Sequence, residues 1–131
     1  MSSTKRRGFT LVELMIAMAV VAILSALAIP SYTQHVIRAN RLAAQAQMLH
    51  MASIEQQFLL ANRAYLTEND ALWTSVYSLP ADLAARYNYT ITTGTDTVPY
   101  FLIAFTPTGA QSDDGVLTLD SEGGKTPADK W

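Results

Sequence analysis

The sequence predicts an α+β fold, in which the C-terminal half of one long, bent N-terminal helix packs on an antiparallel β-sheet. Three observations predict it: an apolar run near the start, a helix-favouring segment behind it, and three short segments of alternating polarity at the end. A helical region followed by strands with hairpin-length connections is typical of this fold class. The chain has 131 residues, which suffice for one domain with a modest core.

The first predicted element is an apolar helix over residues 9–30. Residues 14–29 contain no charge. At about 1.5 Å per residue, a helix over 9–29 is roughly 30 Å long, the thickness of a bilayer core. Basic residues 5–7 precede it, so the positive-inside rule leaves residues 1–8 in the cytoplasm and directs the rest outward.

The helix is expected to continue through Pro30 to residue 62. Residues 31–62 contain no glycine or further proline and are rich in helix-favouring residues. A proline kinks a membrane helix but need not end it, so we interpret 9–62 as one bent helix of about 80 Å. Its apolar stripe is predicted to comprise Met51, Ile54, Phe58, Ala61 and Tyr65. A domain of this size cannot cover the first half, which therefore requires lipid or other chains.

Three strands are predicted after a loop region with short helical turns near residues 71–73 and 80–83. Period-two alternation or apolar character marks residues 87–93, 100–106 and 116–120 as strands. Gly94 and Gly109 lie in the turns between them, and Gly123-Gly124 is expected to end the last strand. The short connections predict antiparallel pairing.

Composition and charge exclude several function classes. Residues 9–131 carry 6 basic and 11 acidic side chains, a net charge of −5, which argues against nucleic-acid binding. The chain has no cysteine, so disulfides and thiolate chemistry are excluded. The acidic residues 113–129 do not follow an EF-hand spacing. We identify no catalytic residues, metal site or cofactor site.

The N-terminal residues resemble a known signal. Arg7-Gly8-Phe9-Thr10-Leu11-Val12-Glu13-Leu14, followed by an apolar helix ending Ala28-Ile29-Pro30-Ser31-Tyr32, resembles the class III signal of type IV pilins. The remaining chain is most similar to a minor pilin of the PilE type. The resemblance implies a pilin fold with three parts: a leader peptide at 1–8, a membrane and filament-core helix at 9–30, and a periplasmic or extracellular globular domain at 31–131.

The resemblance also implies a life history. A prepilin peptidase cuts between Gly8 and Phe9 and methylates the new amine of Phe9. The subunit waits in the inner membrane as a single-pass protein with a periplasmic C-terminus. An inner-membrane assembly platform then moves it into an extracellular filament of major and minor pilins. The resemblance implies that such a pilus serves adhesion, twitching motility or DNA uptake.

Glu13 and Thr10 are the candidate assembly contacts. A carboxylate inside an apolar helix is costly, by about 2.5–3.5 kcal/mol at the bilayer centre, and Glu13 needs a cationic partner. Cleavage would create one, because Phe9 then carries a positive amine in the same or a neighbouring subunit. Such a pair would fix the register between featureless apolar helices. Pro30 is expected to kink the helix.

Two departures from the pilin pattern stand out. Pilins usually carry two cysteines near the C-terminus, and residues 113–115 and 129–131 occupy the places where we would expect them. Either another contact holds the tail or the tail is mobile, and we hypothesise that Trp131 docks on the sheet. Ala22 stands where many pilins have glycine, so local melting before Pro30 should be harder, by about 1 kcal/mol.

Two alternatives stay open. A type II secretion pseudopilin would share the signal and the helix. An ordinary secreted domain is the other, because Ala26-Leu27-Ala28 fits a signal-peptidase site that would leave Ile29 as the first mature residue.

Overall fold

The computed structural model describes residues 8–131, and the first seven residues of the predicted leader lie outside this range. The chain divides into two compact units, Met1–Val36 and Ile37–Trp131. One helix, α1, runs from Leu11 to Asn62 and contributes to both. The long helix is thus confirmed, with Pro30 inside it.

The described part of the first unit, residues 8–36, is helical from Leu11 onward and contains no buried residue. Its large apolar side chains are exposed, from Phe9 at 83% to Ile29 at 65%. By length and composition, α1 is the one helix in the described part of the chain that could cross a membrane. The expectation that this segment needs a covering of lipid or protein is consistent with that exposure.

The second unit contains a four-stranded antiparallel sheet. Its strands are β1 (Tyr87–Gly94), β2 (Tyr100–Pro107), β3 (Leu117–Asp120) and β4 (Lys125–Thr126), in the spatial order β1-β2-β3-β4. Helices α2 (Ala71–Val76) and α3 (Ala81–Ala84) and two 3₁₀ turns (Gly109–Asp114 and Ala128–Lys130) complete it.

The fourth strand was not predicted. Gly123-Gly124 forms the β3–β4 turn rather than the end of the sheet, and Lys125–Thr126 then pairs with Leu119 and Thr118. Asp120 holds this turn, because its Oδ1 accepts the N–H groups of Glu122 at 2.9 Å and Gly124 at 2.7 Å. A two-residue exposed strand is too short to produce an alternating pattern.

One buried cluster joins the sheet to α1. Alternate residues of the strands face it, as the period of two requires. Its members from the sheet are Tyr87, Ile91, Phe101, Ile103, Phe105, Leu117 and Leu119; those from the helices are Ala44, Met48, Met51, Trp73 and Leu83, with Tyr77 directly after α2. The predicted packing of the sheet on the second half of the helix is therefore confirmed.

The predicted face of α1 was partly wrong. Met51 is buried, but Ala61 is exposed and Tyr65 follows the helix end. Two polar residues, Gln45 and Glu55, lie on the buried face instead. Periodicity counts apolar residues only, so it cannot place a polar residue whose partner comes from a distant part of the chain.

Glu55 connects the end of α1 to the loop behind it. Its side chain is fully buried, and Oε2 accepts the Leu66 N–H at 2.9 Å. Burial raises the pKa of Glu55, the charge of Asp70 adds to this, and the Leu66 N–H opposes it. Oε1 has no hydrogen-bond partner among the described residues.

We expect Glu55→Gln to stabilise the domain at pH 7 and Glu55→Ala to destabilise it. Because the folded pKa is raised, the unfolded state loses its proton first, and wild-type stability falls as pH rises from the ordinary glutamate pKa through the folded pKa. Glutamine keeps an acceptor for Leu66 without this loss, whereas alanine strands the N–H at about 1–3 kcal/mol. Thermal unfolding in mild detergent at pH 4.5 and pH 7 measures both. A wild-type-to-glutamine difference that does not change with pH would contradict the assignment.

The last residues of the chain are tied to the domain. Trp131 is half-buried against the core cluster, as hypothesised, and its Nε1 donates to the Thr126 carbonyl at 3.2 Å. The Lys125 Nζ lies 5.0 Å from the centroid of the Trp131 ring, a cation–π contact.

Trp131→Ala should expose the tail to proteolysis. Loss of this partly buried ring and its hydrogen bond should speed carboxypeptidase release of the last residues by about tenfold, corresponding to about 1.4 kcal/mol. The measurement is the intact mass over time under native conditions. The exposed Leu60, replaced by alanine, is a control that should leave the rate unchanged.

Candidate functional site

The predicted assembly residues Thr10 and Glu13 are in direct contact. Glu13 Oε2 accepts the Thr10 N–H at 3.1 Å and the Thr10 hydroxyl at 3.2 Å. In return, the Glu13 N–H lies 3.2 Å from Thr10 Oγ1. This reciprocal arrangement is a capping box, which satisfies free N–H groups at the start of a helix. It explains why α1 begins at Leu11 and not at the predicted residue 9.

The sequence contained a signal for this contact that our interpretation did not use. Thr10-Leu11-Val12-Glu13 matches the T-x-x-E pattern of a capping box directly before an apolar run. The partner predicted for Glu13 was the Phe9 amine of the same or a neighbouring subunit. The structure shows a local partner, Thr10. Its N–H and its hydroxyl both donate to Oε2 of Glu13, which leaves Oε1 for a second donor.

Gly8 and Phe9 precede the helix in open surroundings. A Cβ placed on Gly8 would meet no described atom within 4 Å. The fold of the described residues therefore does not require glycine here. Phe9 is 83% exposed, and it lines one open depression together with Gly8, Thr10 and Glu13.

Pro30 lies inside α1, and helical residues continue on both sides of it. Proline cannot donate a backbone hydrogen bond, so it removes one rung of the helix. Close by, the Thr33 hydroxyl donates to the Ile29 carbonyl at 3.1 Å. The kink expected at Pro30 stays a prediction.

Two acidic side chains near the C-terminus have structural partners. Asp120 holds the β3–β4 turn, and Asp114 is paired with Arg41. Within residues 8–131, no group of three or more His, Cys, Asp or Glu side chains is placed to hold a metal ion.

The basic side chains of the second unit are few, and several are already engaged. Arg41 and Lys130 both contact Asp114, and Lys125 lies over the Trp131 ring. Arg38 is exposed on α1, and Arg86 is exposed before β1. A buried carboxylate thus partly neutralises Arg41 and Lys130, whereas Arg38 and Arg86 face solvent.

Two family models match the sequence. Residues 30–119 match the family described as type IV minor pilin ComP, DNA uptake sequence receptor. Residues 3–29 match the prokaryotic N-terminal methylation motif. The second match covers the predicted cleavage residues, the capping box and the apolar helix up to the residue before Pro30.

Curated relatives include a type II secretion system protein and type IV pilins. The chain is 30% identical to type II secretion system core protein G of Escherichia coli K12 over 89 residues, which is 66% of this chain and 61% of the relative. It is 35% identical to the type IV major pilin protein PilE1 of Neisseria gonorrhoeae over 88 residues, 65% of this chain and 50% of the relative. A shorter match, 51% over 36 residues, joins 28% of this chain to 23% of fimbrial protein EcpB of Eikenella corrodens. The alignments thus span between half and about three fifths of the first two relatives.

Proposed function

The chain belongs to the type IV minor pilin ComP family, and we propose that it is a minor structural subunit of a type IV pilus that assembles through its N-terminal helix. The observation that carries the proposal is the combination of a capped Glu13 with an apolar helix that the chain leaves uncovered. Structural pilins are in general not enzymes, and we identify no catalytic residues.

In the proposed life history, the exposed helix has two successive environments. It first lies in the inner membrane, where lipid covers the apolar side chains. It then lies in the filament, where the helices of other major and minor pilins cover them. Between these states, a prepilin peptidase cuts after Gly8 and methylates Phe9, and an inner-membrane platform moves the subunit outward.

The proposed assembly contact joins the Phe9 amine to Glu13. The capping box fixes the carboxylate at the helix start through Oε2. Oε1 then accepts the amine created by cleavage. A charged pair at one position gives otherwise uniform apolar helices a defined register.

DNA binding is a second candidate, because the family description names a DNA uptake sequence receptor. The net charge of −5 over residues 9–131 opposes it, since electrostatic attraction to phosphates supplies most non-specific DNA affinity. Fluorescence anisotropy with labelled duplex DNA at 50 mM and 200 mM salt tests it. Saturable binding that weakens with salt would support the receptor candidate.

A pseudopilin role is the third candidate, favoured by the match to the secretion protein. Cell fractionation separates it from the pilus role. A pilus subunit is found in sheared surface filaments, whereas a pseudopilin stays in the cell envelope.

Mass spectrometry of the mature N-terminus, combined with shearing of surface filaments, tests the leading proposal. We expect a chain that begins with methylated Phe9 in the sheared fraction. A chain beginning at Ile29 would instead show an ordinary signal peptide. A chain that begins with methylated Phe9 but is absent from sheared filaments would favour the pseudopilin.

A further inference from the structure

A buried carboxylate, Asp114, joins three distant parts of the second unit. It ends the first 3₁₀ turn, and its side chain is only 2% exposed. Arg41 of α1 donates through Nε to Oδ1 at 3.0 Å and Oδ2 at 2.9 Å, and through Nη2 to Oδ1. Lys130 Nζ donates to the Asp114 carbonyl and lies 4.0 Å from Oδ1. Charged donors on a buried carboxylate form strong hydrogen bonds.

A second layer of contacts reaches the backbone of α1 and of the tail. Gln111 Nε2 lies 2.9 Å from the Ile37 carbonyl and 3.3 Å from Asp114 Oδ2. Asn40 Nδ2 donates to Gln111 Oε1 at 3.1 Å. Gln45 Nε2 donates to the Lys130 carbonyl at 2.6 Å. The helix, the 3₁₀ turn and the tail are therefore tied to one another by polar bonds.

These contacts lie on a part of α1 that buries no side chain completely. The buried residues of α1 begin at Ala44 and continue through Met48, Met51 and Glu55. Residues 37–43 contain no fully buried side chain. The first two turns of the helix in this unit are thus held mainly through Ile37, Asn40 and Arg41.

We propose that Asp114, with Arg41, Gln111 and Lys130, forms a polar clamp. This clamp sets the residue of α1 at which packing against the domain begins, and it holds the C-terminal tail at the same place. The chain has no cysteine, so this closure is non-covalent and reversible. Opening the clamp should release residues 37–43 and the tail together, while the apolar core from Met48 onward stays packed. The proposal does not depend on the proposed pilus function.

The clamp should open in acid. The groups facing or near it are Arg41 of α1, Gln111 of the 3₁₀ turn, Lys130 and Asp129 of the tail, Tyr87 of β1, and Asp113, the sequence neighbour of Asp114. Burial alone would raise the pKa of Asp114, but the hydrogen bond and charge of Arg41, with Gln111 and Lys130, lower it overall. Because the folded pKa is lowered, the stabilisation is complete above the ordinary aspartate pKa and is lost as pH falls through the folded value.

Hydrogen exchange of the full chain in mild detergent tests the clamp. We expect Asp114→Asn to accelerate amide exchange at residues 37–43 and 128–131 by at least about tenfold (about 1.4 kcal/mol). Residues 48–55 and β2 should keep wild-type rates. The matched control is Asp113→Asn, which removes the same charge from the exposed neighbouring residue and should change neither segment.

A second pair of variants separates the two halves of the clamp and serves if Asp114→Asn does not fold. Gln111→Ala removes the hydrogen bond to the Ile37 carbonyl and should accelerate amide exchange only at residues 37–43. Lys130→Met removes the tail's hydrogen bond to the Asp114 carbonyl and should accelerate amide exchange most at residues 128–131. Equal acceleration throughout the domain, or rates like those of Asp113→Asn, would overturn the proposal.

Discussion

Gly8→Val is expected to leave nearly all of the chain uncut and outside filaments. Glycine has no side chain, which lets a protease bring its catalytic groups close to the backbone. Valine adds a branched Cβ at the proposed cleavage site. The described part of the chain does not itself require glycine there, because a Cβ on Gly8 would meet no described atom within 4 Å. The effect should therefore fall on processing and not on folding.

The measurement is the intact mass of the membrane-bound chain, since the precursor keeps residues 1–8. Ser31→Val is a suitable control, because it introduces the same residue at an exposed position of α1 away from the proposed cleavage site. Both variants should show wild-type thermal unfolding of the second unit. A normal Phe9 N-terminus from Gly8→Val would refute the cleavage assignment.

The sequence could predict the strands because a half-buried sheet imposes a strict alternation. Phe101, Ile103 and Phe105 face the core, and the residues between them do not, which is the pattern that a period of two describes. The long helix was equally predictable, because the composition of residues 31–62 favours helix throughout. Strand β4 escaped prediction because two exposed residues cannot show a period.

Polar residues of the core could not be placed from the sequence. Gln45 and Glu55 interrupt the apolar stripe, and their burial is possible only because Lys130 and Leu66 supply hydrogen-bond partners. Lys130 is 85 residues from Gln45 in the chain. A single sequence carries no local sign of such a pairing, whereas the capping box at Thr10 and Glu13 was fully visible in four consecutive residues.

Glu13→Gln is expected to be inserted and cut like wild type but to enter filaments at less than about a tenth of the wild-type level, corresponding to at least 1.4 kcal/mol. Glutamine is accepted at this position of a capping box, so the start of α1 should stay intact. What is lost is the negative charge, and with it the proposed partner of the Phe9 amine. The measurement is the ratio of variant to wild-type subunit in sheared filaments at equal membrane levels.

Thr10→Ala is the matched variant, because it keeps the charge and removes the hydroxyl that contacts Glu13 Oε2. Loss of an N-terminal cap costs about 1 kcal/mol, so incorporation should fall only a few-fold. This order, in which Glu13→Gln enters filaments far less than Thr10→Ala does, is specific to a charge pair. If capping were the whole role of Glu13, the order would be reversed.

The two variants together also bear on which amine Glu13 meets. Thr10 holds Oε2 from within the chain, so the Phe9 amine of the same chain would have to reach Oε1 of a residue four positions further along. An amine from a neighbouring subunit has no such restriction. In cells that express both chains, wild-type subunits supply carboxylates, and Glu13→Gln subunits still supply amines. Pairing between subunits therefore predicts that wild-type chains rescue part of the incorporation of Glu13→Gln, whereas pairing within one chain predicts no rescue.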